Sequence, residues 1–137
     1  MLTAQLAPAL DGFRLTLHVL AAAVWVGGQI TVAGLVPTAR SLGEDAPRQV
    51  ARAFARLSWP AYAVLVATGF WNMAAVSKGQ PSAWKAVLGA KMAVVALAGV
   101  SAWLHGISRS RAGLAAWGAV LSLSSLAALV MGVFLAG

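Results

Sequence analysis

The sequence predicts an all-α integral membrane protein: an antiparallel four-transmembrane-helix bundle, with a short amphipathic helix between spans one and two. Three observations carry this expectation. Of the 137 residues, 61% are hydrophobic and only 9% are charged, against about 25% charged in a soluble domain. The apolar residues gather in segments close to the approximately 20 residues that a bilayer-crossing helix needs. Turn-forming and charged residues gather between those segments. Several spans leave no room for a soluble domain, so residues 1–137 read as a single four-span membrane domain. The net charge of +7 would suit nucleic acid, but the arginines sit in short loops, where membrane topology requires them. The lipid bilayer is therefore the expected partner, and nucleic acid is not. Cysteine is absent, which excludes disulfides, thiolate metal sites and a thiol nucleophile.

Residues 1–11 lack the basic start of a cleavable signal peptide and read as retained. The first span is predicted over 12–36, with Pro37 ending it. It carries a histidine, a tryptophan and a glutamine among apolar residues. Steps of three and four return to one helical face, so His18, Ala22, Trp25 and Gln29 form one stripe. Such a stripe should face protein or a cavity, because lipid cannot satisfy it. Alanines and glycines around it keep the helix thin. Between residues 38 and 58, Glu44-Asp45-Ala46-Pro47 reads as a helix start. Arg48, Arg52 and Arg56 then recur every four residues, away from Val50, Phe54 and Leu57. This pattern predicts an amphipathic helix lying at the membrane surface. Its arginine row reads as facing lipid headgroups, the alternative being a site for phosphate or porphyrin propionates.

The second span is predicted over 59–76, with Pro60 in its first turn and with Thr68 and Asn72 on one inward face. Residues 77–82 form a turn cluster. The third span covers 84–107 and holds Lys91 and His105. After the loop 108–111, the fourth span covers 114–136, with Ser122, Ser124 and Ser125 as its polar groups. The loops after spans one and three hold Arg40, Arg48, Arg52, Arg56, Arg109 and Arg111. The opposite side holds Arg14, Lys78 and Lys85. The positive-inside rule then puts both termini outside.

That register sorts the unusual residues by depth. His18 falls roughly 8 Å, and Lys91 roughly 9 Å, below the outer ends of their spans. Met73, Met92 and Met131 fall within roughly 6–10 Å of those ends. His105 lies roughly 30 Å along span three, too deep to share a haem with His18; its expected place is at water or headgroups. The outer layer admits three chemistries. Imidazole and thioether ligands suit Cu(I), so His18 with Met73, Met92 and Met131 is a candidate metal set, with Trp25, Gln29, Asn72 and Lys91 around it. His18 also suits the axial position of a b-type haem, with Lys91, a methionine or nothing opposite. Lys91 also suits proton movement. The plain alternative is that these residues serve packing alone.

The pattern His18-x6-Trp25-x-Gly27-Gly28 resembles the opening of the copper-resistance protein D (CopD) family. Ala55-Arg56-Leu57-Ser58 leading to Ala67-Thr68-Gly69 resembles that family's second helix. Leu88-Gly89-Ala90-Lys91-Met92 resembles its third. The same histidine, tryptophan and lysine pattern resembles the HemJ family, which is associated with haem and with protoporphyrinogen oxidation. The CopD resemblance implies a single-module protein that moves or receives copper at the outer face of the bacterial inner membrane, fed by a periplasmic metal-delivery protein. The HemJ resemblance implies haem b and electron transfer or porphyrin oxidation, and only in that case an enzyme, a haem-dependent oxidoreductase. A homodimer through the Gly/Ala faces is a further expectation.

Overall fold

The structure, a computed structural model, describes residues 6–137. Among them the chain forms four helices. The first, α1 (Ala9–Leu42), is continuous through one wide π-turn at Ala23–Gly27. It is followed by α2 (Ala46–Val76), α3 (Ser82–Ile107) and α4 (Arg111–Ala136). The connections are short. Gly43 has φ 149° and Gly79 has φ 79°, backbone conformations that glycine adopts without a Cβ penalty. The Ser110 hydroxyl accepts from the Gly113 N–H at 3.0 Å and starts α4, as N-cap serines do.

Three helices, α1, α3 and α4, are long and apolar enough to cross a membrane. Large side chains such as Leu10, Phe13, Leu20, Ile30, Leu123, Val133 and Phe134 lie exposed on the helices. The buried hydrophobic residues are Trp25 and four alanines, Ala21, Ala39, Ala98 and Ala128. Small and polar inside with large and apolar outside is the arrangement of a multi-pass membrane protein, whose helices pack on small residues and meet lipid elsewhere. α2 is not among the three apolar helices. Its length is ample, but Pro60, Tyr62, Thr68 and Asn72 lower its hydropathy, and Ser58 and Thr68 are buried against the other helices.

The helices form two antiparallel hairpins, α1–α2 and α3–α4, in closest contact with their own partners. A Cβ on Gly28 would collide with the Phe54 ring, so α1 and α2 lie close there. A Cβ on Gly99 would collide with the Tyr62 hydroxyl, which brings α2 against α3. One end of the bundle carries the described chain ends and the turn at 77–81; we call it the terminal end. The other carries the turns at 43–45 and 108–110.

Two predicted boundaries need correction. Pro37 does not end the first helix but lies inside it. Proline removes one backbone donor, yet membrane helices tolerate it, and neighbouring Ala39 is buried at 5% exposure, which fastens the segment. The amphipathic segment with Arg48, Arg52 and Arg56 is not a separate short helix. It forms the first turns of α2 and runs without a break through Pro60. Pro47 starts that helix, and no later residue interrupts it.

Candidate functional site

The site is built around one bond between α1 and α2. His18 Nδ1 lies 2.7 Å from Thr68 Oγ1. The same hydroxyl lies 2.7 Å from the Val64 carbonyl oxygen. A carbonyl cannot donate, so the single hydroxyl proton goes to Val64, and Thr68 accepts from His18. The ring is therefore protonated on Nδ1, and in the neutral imidazole the lone pair is on Nε2. Metal-ligating histidines are oriented in this way, one ring nitrogen donating to the protein and the other facing the metal. A Cβ on Gly69 of α2 would make ordinary contact with His18 Cε1, at 3.8 Å.

The pairing fixes the register of its surroundings. In an antiparallel pair, four residues back on α1 match four forward on α2, so Arg14 stands level with Asn72. Arg14 is buried at 3% exposure and donates from Nη2 to Asp11 Oδ1 at 2.9 Å. Its Nε and Nη1 are buried without a partner among the described residues, and so is Asn72 Oδ1. From α3, Lys91 is the charged group that acts on His18. A Cβ on Gly132 of α4 would stand 3.0 Å from Lys91 Nζ, so this glycine makes room for the ammonium. All four helices thus contribute to one layer: Arg14 and His18, Thr68 and Asn72, Lys91, and Gly132.

A second polar cluster lies deeper. Trp25 Nε1 donates to Ser125 Oγ at 3.0 Å. Gln29 Nε2 donates to the same oxygen at 3.2 Å and to the Trp25 carbonyl at 2.9 Å. The Trp25 ring centroid is 5.9 Å from that of Trp59 and 4.6 Å from that of Tyr62. Tyr62 donates its hydroxyl to the Val95 carbonyl at 2.8 Å. These bonds join the two hairpins. The predicted single stripe on α1 is therefore divided. His18 faces α2, while Trp25 and Gln29 bond Ser125 of α4, and the π-turn at Ala23–Gly27 lies between the two groups. A wide turn shifts the phase of the residues that follow it.

Of the predicted methionines, Met73 and Met131 are half-buried. Met92 is 38% exposed. Among the described residues no group of three His, Cys, Asp or Glu gathers to hold a metal, so any metal at His18 depends on softer or fewer ligands. His105 is far from His18; it lies fourteen residues beyond Lys91 on α3, roughly 21 Å further along the helix. Its Nδ1 is 2.9 Å from the Leu114 carbonyl, which makes Nδ1 the donor and ties the α3–α4 turn. Two surface clefts lie away from the site. One runs along Leu15, Thr16, Val19, Leu20 and Ala23, the other along Gln49, Arg52, Ala53 and Arg56; His18 lines neither.

Arg14 is the residue that reading the sequence undervalued. It counts there only as a charge on the outer side. Its position one turn before His18 was the available signal. Neither a family model, nor a curated protein, nor a solved structure matches this chain.

Proposed function

We propose that this protein is a four-span bacterial inner-membrane protein that handles copper, receiving Cu(I) on His18 Nε2 near the outer face. The observation that carries the reading is the His18–Thr68 bond at 2.7 Å, with the threonine proton engaged by Val64 at 2.7 Å. Together they fix Nδ1 as the donor, so the neutral ring presents its lone pair on Nε2, the form that binds a metal. Cu(I) is soft and accepts few ligands, imidazole and thioether among them. Met73, Met92 and Met131 are the candidate thioethers to join His18, one from each of the other three helices. Trp25 and Gln29 act behind them, holding the hairpins in register.

Two features support the topology. Arg40, Arg48, Arg52, Arg56, Arg109 and Arg111 all belong to the end opposite His18, which the positive-inside rule makes cytoplasmic. The half of α2 from Trp59 onward runs beside α1 as far as the His18–Thr68 contact, so it crosses with its partner as the fourth span. The expected periplasmic donor would meet the terminal end.

The test is a Cu(I) titration of the purified protein against a chromophoric chelator, with a visible spectrum of the same sample. Wild type binds stoichiometric copper and is colourless, and His18→Ala loses that binding. A Soret band that disappears in His18→Ala would replace copper by haem b, with His18 as its axial ligand. Copper binding unchanged in His18→Ala would reject the site.

A further inference from the structure

The end of the bundle opposite His18 carries a cleft that the copper reading does not use. Its volume is about 240 Å³, and Gln49, Arg52, Ala53 and Arg56 of α2 line it. A water molecule's share of liquid volume is roughly 30 Å³, so the cleft has room for a headgroup phosphate. Arg52 and Arg56 are exposed and stand one helical turn apart, with Cβ atoms about 5–6 Å from each other. Among the described residues the one ion pair joins Arg14 and Asp11. Glu44 and Asp45, the acids at the cleft's own end, therefore hold neither guanidinium.

The cleft lies on the side of α2 turned away from α1. Phe54 points toward Gly28 of α1. At about 100° per residue, Arg52 and Arg56 each fall roughly 160° round the helix from it. The same side continues into Pro60, Ala63 and Ala67, all exposed. The step from Arg56 to Ala67 is roughly 16 Å, one leaflet's share of an approximately 30 Å hydrocarbon core. Trp59, 40% exposed, stands at the junction, where tryptophan marks the passage from headgroups to chains.

α2 thus presents two guanidiniums without a carboxylate, then an interfacial indole, then a lane of small apolar side chains. A phospholipid presents the matching order of phosphate, glycerol and acyl chain. Arginine forks take phosphate oxygens in pairs. A choline headgroup brings a cation of its own against them, whereas a net-anionic headgroup brings none. A free phosphate meets the arginines but leaves the lane unused.

We propose that Gln49, Arg52 and Arg56 bind the phosphodiester of one anionic phospholipid, whose acyl chain lies along Pro60, Ala63 and Ala67. The Gln49 amide donates to a headgroup oxygen. Arg48 does not line the cleft and takes no part. That exclusion separates a site from the general attraction of a basic segment to an anionic surface, which follows charge alone. The site is independent of any metal at His18.

The experiment is native mass spectrometry of the full chain, delipidated in detergent and titrated with dioleoylphosphatidylglycerol and, on the same sample, with dioleoylphosphatidylcholine. Wild type should take up one phosphatidylglycerol about tenfold more tightly than phosphatidylcholine, the margin of one charge-assisted contact. Arg52→Gln combined with Arg56→Gln should abolish that preference, and Arg48→Gln should keep it. Ala63→Phe, which fills the lane, should weaken uptake severalfold while the preference remains. Millimolar inorganic phosphate should not displace the lipid. All of these positions are exposed, so the variants keep the fold, which far-ultraviolet circular dichroism checks. Equal uptake of the two lipids by wild type overturns the proposal. So does a loss in Arg48→Gln equal to that of the Arg52/Arg56 pair, which marks diffuse attraction, or displacement by inorganic phosphate, which marks a free-phosphate site.

Discussion

The His18 layer and the Trp25 cluster lie about 10 Å apart along one helix, yet they are finished differently. Around Trp25 the bonds tie helix to helix: the indole N–H and the Gln29 amide reach Ser125, and the Tyr62 hydroxyl reaches Val95. One acceptor, Gln29 Oε1, is left over. Around His18 the strongest groups are the unfinished ones. Arg14 Nε and Nη1 and Asn72 Oδ1 are buried without partners among the described residues, and the one strong bond to His18 engages only its Nδ1. A cluster whose bonds run from helix to helix holds them together. A layer that buries charge and leaves donors open is where a functional site is sought inside a membrane. The neighbouring clusters teach that polarity inside a membrane bundle is not all of one kind: one leaves a single neutral acceptor open, the other leaves donors of a buried charged group open.

That contrast breaks if substitutions in the two regions have the same consequence. The largest stability effect is expected from Trp25→Ala, which removes a ring buried at 4% exposure together with its contacts to Trp59 and Tyr62. It should cost about 3–5 kcal/mol, read as a lower unfolding temperature in detergent. His18→Ala, by contrast, should cost only about 1 kcal/mol for its bond to Thr68 and abolish metal binding. Next comes Gly99→Ala, whose added methyl meets the Tyr62 hydroxyl. It should destabilise by about 1–3 kcal/mol, as overpacking does, without changing metal affinity. Thr68→Val keeps the shape but removes the acceptor for His18 Nδ1. It should weaken metal binding by about 10–100-fold in the same titration. The smallest effect is expected at His105, whose bond to Leu114 lies at the far end. His105→Ala should cost about 1 kcal/mol and leave the metal site untouched.

The helical architecture was legible because each level of the sequence agreed: apolar segments of bilayer length, glycine and proline between them, and arginines at one end. What escaped reading was local. Pro37 carries a strong stop signal by its chemistry, but packing around Ala39 overrides it. The arginine row has the spacing of a surface helix, yet nothing between Ser58 and Pro60 breaks the chain, so α2 continues as one helix. The π-turn at Ala23–Gly27 falls on Ala-Val-Trp-Val-Gly, a stretch with no signature of a wider turn, and it divides the predicted stripe. Thr68 and Asn72 were readable as an inward pair from their spacing, but that Thr68 bonds His18 depends on how two helices are registered, which no local pattern contains. Arg14 was hidden by its own class, since a charge near a helix end reads first as topology.

The most direct test of the central claim is the 15N spectrum of the ring-labelled protein, read at His18. The account predicts a neutral ring protonated on Nδ1, with Nε2 bare, and an Nε2 resonance that moves when one equivalent of Cu(I) is added. A ring protonated on Nε2 and indifferent to Cu(I) would contradict it, and would make His18 a packing residue held by Thr68.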